Sequence, residues 1–198
     1  MAGLRTIIKE EDASLSVYDD YLEKEYGNWV FEEIGKIPLT KQPKFMMFGK
    51  ECQMNRDVGF FSDVSKGYSY SGQIEKSQKL YDWMKGLLEA VNESLGTDFN
   101  GILINVYHSS DQYISAHSDD EKGLSKINKT VAAISFGTSR KFRIRNKKTK
   151  AIVVDIMTKD RQLLLMDGEF QKKYTHEIVK QKGIEGKRIS FTFRTHDE

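Results

Sequence analysis

Arg188-Ile189-Ser190-Phe191-Thr192-Phe193-Arg194 alternates without a break. In an extended chain Ile189, Phe191 and Phe193 project to one side and Arg188, Ser190, Thr192 and Arg194 to the other. Two arrangements satisfy the pattern. In one, the apolar side is core and the polar side meets water, as in a sheet covered on a single face. In the other, the aromatic side packs under a layer of helices and the polar side lines a barrel interior that holds a carboxylate-bearing ligand. Arginine suits the second arrangement, because its planar fork binds a carboxylate bidentately and stays charged when partly buried.

Upstream of this segment the chain reads as a series of short strands: Gly101 to Tyr107, Val131 to Phe136, Lys141 to Arg145, Ile152 to Ile156, Gln162 to Met166 and Thr175 to Val179. Before them, Glu75 to Leu95 places Leu80, Trp83, Met84, Leu87, Leu88 and Val91 on one helical stripe, and Gly96 stands where a helix stop belongs. One long helix followed by many strands predicts an α+β chain, an antiparallel sandwich or barrel with helices on one outer face. The first third reads as irregular, with amphipathic pieces at Val17 to Tyr26 and Trp29 to Ile34 and a turn-rich stretch from Pro38 to Gly72.

At 198 residues, with 38% hydrophobic and 11% aromatic side chains, the chain has room for a single domain spanning 1–198 and enough apolar material for its core. Within it, 1–74 reads as an N-terminal extension and lid, and 75–198 as the long helix and catalytic part. No repeat, low-complexity tract or linker argues for a second domain. Charge is nearly balanced, 31 Lys plus Arg against 29 Asp plus Glu, so affinity for a polyanion has to come from local patches. Cys52 is the lone cysteine, which excludes a disulfide framework or a thiolate metal cage. The N-terminus resembles no secretory or transit signal, and no run is apolar for long enough to span a bilayer. The expectation is an intracellular protein, cytoplasmic or nuclear, monomeric and without a membrane partner.

Of the four histidines, His117 stands in His117-Ser118-Asp119, where an extended backbone sends the imidazole and the carboxylate to the same side. Alone, such a pair is better explained by a solvated loop. A later histidine would complete a two-histidine, one-carboxylate set with three coordination positions open, the arrangement of non-haem iron oxygenases. His176, in a later predicted strand, is the natural third ligand. His108 and His196 read as ordinary surface or hydrogen-bonded histidines, the latter near a fraying terminus. Asn105-Val106-Tyr107 repeats the alternation, with an amide and a phenol able to donate to the same acid.

In order and spacing, Asn105-Val106-Tyr107, then His117-Ser118-Asp119-Asp120-Glu121, then Leu164 to Gly168, then His176, then Arg188 to Arg194 resemble the AlkB dioxygenases, and most of all the branch that repairs alkylated DNA. The resemblance covers roughly Pro43 to Thr195 and implies a double-stranded β-helix (jelly-roll) core. It implies Fe(II) on His117, Asp119 and His176, which are also the catalytic set, with 2-oxoglutarate and O2 as cosubstrates. Arg188 would pair with the distal carboxylate of 2-oxoglutarate, and Arg194, Asn105 and Tyr107 would contact the rest. Ser190 departs from the family pattern, which has Asn there, so one contact is lost or bridged by water.

The activity implied is oxidative removal of alkyl groups from bases such as N1-methyladenine and N3-methylcytosine in DNA, releasing aldehyde, succinate and CO2. RNA is the alternative substrate, and a protein or small-molecule hydroxylase of the same fold is the alternative class. Tyr68-Ser69-Tyr70-Ser71-Gly72 resembles the family's aromatic lid, with Tyr70 stacking on an extruded base and Tyr68 hydrogen-bonding its edge. Asp120 and Glu121 are acceptors for an exocyclic amine or a cationic alkylated base. Arg140 to Lys148 is either a phosphate track or a solvated hairpin, and Arg140 alternatively points into the substrate side. Between Phe48 and Tyr68 the chain is longer than the typical family lid.

Overall fold

The computed structural model describes residues 4–47, 49–70 and 73–197, apart from the side chains of Met47, Tyr70 and Gln73. Its strands are β1 (Leu4–Lys9), β2 (Ala13–Tyr18), β3 (Lys44–Met47), β4 (Lys50–Gln53), β5 (Asp57–Phe61), β6 (Gly67–Tyr70), β7 (Gln73–Lys76), β8 (Gly101–Tyr107), β9 (Ile114–His117), β10 (Val131–Gly137), β11 (Lys141–Asn146), β12 (Ile152–Met157), β13 (Gln162–Gly168), β14 (Tyr174–Ile178) and β15 (Arg188–Arg194). The helices are α1 (Lys24–Glu33), α2 (Asp82–Leu95) and the single turn α3 (Phe170–Lys173).

A seven-stranded sheet in the order β1-β2-β13-β10-β15-β8-β5 faces a four-stranded sheet in the order β12-β11-β14-β9. Side chains from both inner faces share one core, with Leu15, Val17, Ala133, Leu164 and Met166 meeting Phe142, Ile144, Tyr174 and Ile178. This is the jelly roll expected from the sequence. On the outer face of the larger sheet, Val30 of α1 and Met84, Leu87, Leu88 and Val91 of α2 pack against Ile102, Ile104, Ile134, Phe191 and Phe193. Each such buried side chain contributes about 2 kcal/mol from apolar surface removed from water.

The alternation in β15 is therefore resolved in favour of the barrel. All seven of its residues are buried, because its aromatic side lies under α2 and its polar side faces inward. Register fixes what accompanies it there: Arg188 pairs with Tyr107, and Ser190 with Asn105 on one flank and Ser135 on the other.

Two sequence expectations are corrected. The long helix begins at Asp82 rather than Glu75, because 73–76 pair with 67–70 as a small two-stranded sheet. Backbone bonds from Gln78 to Phe60 and from Ser62 to Gln78 hold the intervening segment extended. The helix does end where expected, with Gly96 in the left-handed conformation at φ 66°. The first third is also more ordered than its composition suggests. β5 adds to the edge of the larger sheet beside β8, while β3, the residue just past β4, and β6 bring Phe45, Met54 and Tyr68 into a satellite cluster with Val58, Phe60 and Leu103.

At the opposite edge, β2 pairs with β13 from Leu163–Tyr18 to Gly168–Ala13. The hairpin is clasped by Lys173, which reaches Glu10 at 2.7 Å and also binds Asp12, and by the Tyr174 hydroxyl, which donates to Glu10. Gly168 has φ 64°, and a Cβ there would stand 2.2 Å from the carbonyl oxygen of Asp12. Only glycine permits this approach. No described helix is long and apolar enough to cross a membrane.

Candidate active site

β9 and β14 are neighbours, and His117 is the ladder partner of His176. Asp119 lies just past the end of β9. The result is that one donor atom from each of His117, Asp119 and His176 falls within 4.8 Å of the others. His117 Nε2 is 3.9 Å from Asp119 Oδ1 and His176 Nε2 is 3.6 Å from Asp119 Oδ2. His117 is oriented by Nδ1 donating to the Ser115 carbonyl at 2.9 Å, and His176 by stacking on Phe142 at 5.2 Å. Asp119 is steadied through its own N–H, which donates to Gln171 Oε1 at 2.9 Å.

Burial pushes the His176 imidazolium down to about 3 and also lowers that of His117. Burial alone would raise the Asp119 carboxyl, but the Arg194 guanidinium and the two imidazoles hold it below the usual carboxylate range. The cluster thus presents two neutral imidazoles and one carboxylate, the protonation states in which these groups bind a metal.

A cavity between the sheets is lined by this cluster together with Asn105, Tyr107, Arg188, Ser190, Thr192, Arg194, Tyr68 and Arg56. Arg188 is 2% exposed and makes no ion pair among the described residues. Its Nη2 donates to Ser135 Oγ at 2.9 Å, its guanidinium lies 5.4 Å from the centre of the Tyr107 ring, and its Nε has no hydrogen-bond partner among the described residues. Burial pulls its pKa down to about 10, so it remains a cation at neutral pH. A buried cation of this kind calls for an anion. A dicarboxylate with one end here and the other at the histidine cluster fits the residues present.

Arg194 is occupied differently. Its Nη1 binds Glu121 and its Nη2 lies 3.4 Å from Asp119 Oδ1, with the Tyr68 ring 5.2 Å from its guanidinium carbon. The Asn105 carbonyl oxygen accepts from Arg56 Nε at 2.7 Å, which leaves its amide N–H groups as the donors.

Outside the cavity a pocket of about 670 Å³ is lined by Tyr68, Ser69, Ile74, His117, Asp120, Glu121 and Lys147. Tyr68 borders both spaces. The Tyr70 ring and all of Ser71, assigned to the lid from sequence, lie outside the described residues. Asp120 is exposed and paired with Lys147 at 3.0 Å, whereas the Glu121 side chain is 4% exposed.

Arg140 goes elsewhere than the sequence suggests. It is 1% exposed and absent from both linings, since its guanidinium donates to the carbonyls of Ser109, Ser110, Gln112 and Val179. The rest of the basic hairpin is largely neutralised. Arg143 and Lys141 pair with Asp155, and Arg145 with Glu177.

The profile of the 2OG-Fe(II) oxygenase superfamily matches residues 14–194. The chain belongs to this superfamily. Among curated relatives, this oxygenase is 29% identical to the DNA oxidative demethylase ALKBH2 of Arabidopsis thaliana, over 88% of the chain and 60% of that protein. It is 26% identical to the human alpha-ketoglutarate-dependent dioxygenase alkB homolog 3, over 90% of the chain and 65% of that protein. The oxygenase therefore spans somewhat under two thirds of the length of these relatives. A solved structure of OsALKBH1 superposes with a TM-score of 0.64 at 14% identity, over 91% of this chain and 97% of that one, a likeness of fold. The superfamily implies Fe(II), 2-oxoglutarate and O2, and the donor set and the unpaired arginine described above suit the first two.

Sequence reasoning missed Arg56, which sits in a stretch with no periodic signal, and it allowed His196 as a hydrogen-bonded histidine but set it near a fraying terminus, whereas it is 3% exposed. Only recognition of Asp57–Phe61 as a strand beside β8 would have pointed to Arg56.

Proposed function

We propose that this oxygenase removes alkyl groups oxidatively from nucleic-acid bases, with DNA as the preferred substrate and N1-methyladenine and N3-methylcytosine as the lesions. The observation that carries the reading is the convergence of His117, Asp119 and His176 beside Arg188, a buried cation without a counter-ion among the described residues. In this reading those three residues hold Fe(II). Arg188 takes the distal carboxylate of 2-oxoglutarate, and Asn105, Tyr107, Ser190 and Arg194 line the rest of its site. When bound, iron and 2-oxoglutarate would let O2 act as the oxidant: one oxygen atom goes into succinate as 2-oxoglutarate loses CO2, and the other hydroxylates the N-alkyl carbon, which then leaves as an aldehyde.

The chain's own residues do the remainder. Phe142 and the Ser115 carbonyl keep the imidazoles aimed, and Tyr68 with His117 borders both the cavity and the outer pocket. The outer pocket would take the extruded base, with Asp120 at the rim. Names of the curated relatives support the nucleic-acid reading, since one is a DNA oxidative demethylase. The whole chain, 1–198, is taken to act as one catalytic domain, monomeric and intracellular.

The test is mass spectrometry of matched methylated DNA and RNA oligonucleotides after incubation with iron, ascorbate and 2-oxoglutarate. Loss of 14 mass units, roughly one methylene, from the DNA with succinate formed alongside is expected. An inert DNA and a demethylated RNA would reverse the substrate choice, and succinate formation with neither changed would point to a hydroxylase of another class.

A further inference from the structure

His196 lies beyond β15, outside every role assigned so far, and both its ring nitrogens are engaged. Nδ1 is 2.8 Å from Ser65 Oγ and Nε2 is 3.1 Å from Glu121 Oε1. The ring stacks on Phe60 at 4.9 Å. Its backbone is pinned by Asn100, which accepts from the His196 N–H and donates to its carbonyl, each at 2.9 Å. Because a carboxylate only accepts, the Nε2 atom carries a proton, and in a neutral ring Nδ1 accepts from the serine hydroxyl.

Glu121 Oε1 thus receives two donors, His196 and Arg194. Its other oxygen, Oε2, is buried and has no hydrogen-bond partner among the described residues. A carboxylate gripped by two donors through one oxygen is held against rotation, so the direction of the second oxygen is fixed. Glu121 shares the outer pocket with His117 and Tyr68, and Ser65 stands just ahead of β6, which carries Tyr68. One hydrogen-bond chain therefore ties the pocket's acceptor to the strand bearing its aromatic wall.

We propose that His196 is a positioning residue that, braced by Ser65, aims Glu121 Oε2 at the exocyclic amino group of the target base and so sets a preference for amino-bearing bases. The assignment rests on the function proposed above. A site built to accept from an amine penalises a base lacking one, because the desolvated acceptor is left unmet.

The experiment compares kcat/KM for oligonucleotides carrying N3-methylcytosine, which has the amine, and N3-methylthymine, which has a carbonyl in its place. The wild-type chain 1–198, His196→Phe, His196→Gln and Ser65→Ala are assayed with iron and 2-oxoglutarate. Phenylalanine keeps the stacking on Phe60 without a donor, while glutamine restores a donor near the Nε2 position. His196→Phe is expected to lower the cytosine-to-thymine ratio about tenfold, the loss of one hydrogen bond to a charged group. His196→Gln should recover most of the ratio, and Ser65→Ala should lower it about threefold. Should His196→Phe fail to fold, the ratio for Ser65→Ala decides. An unchanged ratio in the folded variants, or His196→Gln falling as far as His196→Phe, overturns the assignment. A wild type inert on both oligonucleotides instead sinks the proposed function and this assignment with it.

Discussion

The rings of His117 and His176 stand across a β-ladder from one another with their centroids 4.4 Å apart. Their spacing is set by backbone hydrogen bonds between β9 and β14, so the candidate metal site inherits the rigidity of the sheet.

Replacing His176 with alanine removes one of three converging donors and leaves a hollow beside Phe142. Metal affinity should fall on the order of 100-fold or more, with demethylation lost in parallel. Isothermal titration with Co(II) or Mn(II) checks the first effect and succinate release the second. Metal binding at wild-type strength would refute the site.

Arg188→Met separates stability from function. It substitutes a flexible apolar side chain for a buried guanidinium that has no acidic partner among the described residues, which relieves a desolvation cost. The variant is expected to melt about 2–4 °C higher, equivalent to about 1 kcal/mol in a chain of this size, while its KM for 2-oxoglutarate rises on the order of 100-fold. Differential scanning calorimetry and a cosubstrate titration read the two effects.

Ser190→Asn restores the longer amide that the AlkB pattern carries. Ser190 lines the cavity between Asn105 and Ser135, and the added reach should lower the KM for 2-oxoglutarate about threefold, the worth of one modest hydrogen bond. A rise in KM would mean that the neighbouring side chains have no room for it.

Arg140→Met should behave as a stability variant. Four backbone carbonyls lose their donor, at a cost of about 3 kcal/mol. Denaturant unfolding should detect that loss while KM for the methylated oligonucleotide stays unchanged. A specific rise in substrate KM without loss of stability would return Arg140 to the substrate side.

Glu169 is held down to about 2 by Lys129 and Lys172. Since its folded-state pKa lies below the ordinary value of 4.5, its contribution is complete above pH 4.5 and is lost as pH falls toward 2. Stability measured across that window should slope less in Glu169→Gln than in wild type. The pairs are exposed, so added salt should shrink the difference.

Much of the barrel was legible because β15, β8 and β13 carry unbroken alternation or dense apolar runs, and because His117, Asp119 and His176 are few enough to weigh one by one. The N-terminal strands were not. β1 has four exposed or half-exposed residues in a row, and β3, β4, β6 and β7 are held by pairing with partners rather than by any periodic face. Arg140 reads from sequence as one more cation in a basic run, and its inward turn depends on loop carbonyls that no local pattern reveals. His196 shows the same limit, since proximity to a chain end carries no information about burial.

The clasp of Glu10 and Asp12 on Lys173 and Tyr174 closes over more than a corner of the fold. A version shortened to begin after Tyr18 would bare the flank of Gln162–Gly168, a row of amide and carbonyl groups ready to zip onto any neighbouring molecule. Such a product should come out of the cell as inclusion bodies, and shortened preparations would owe their silence in assays to precipitation, with the chemistry of the pocket never having been asked.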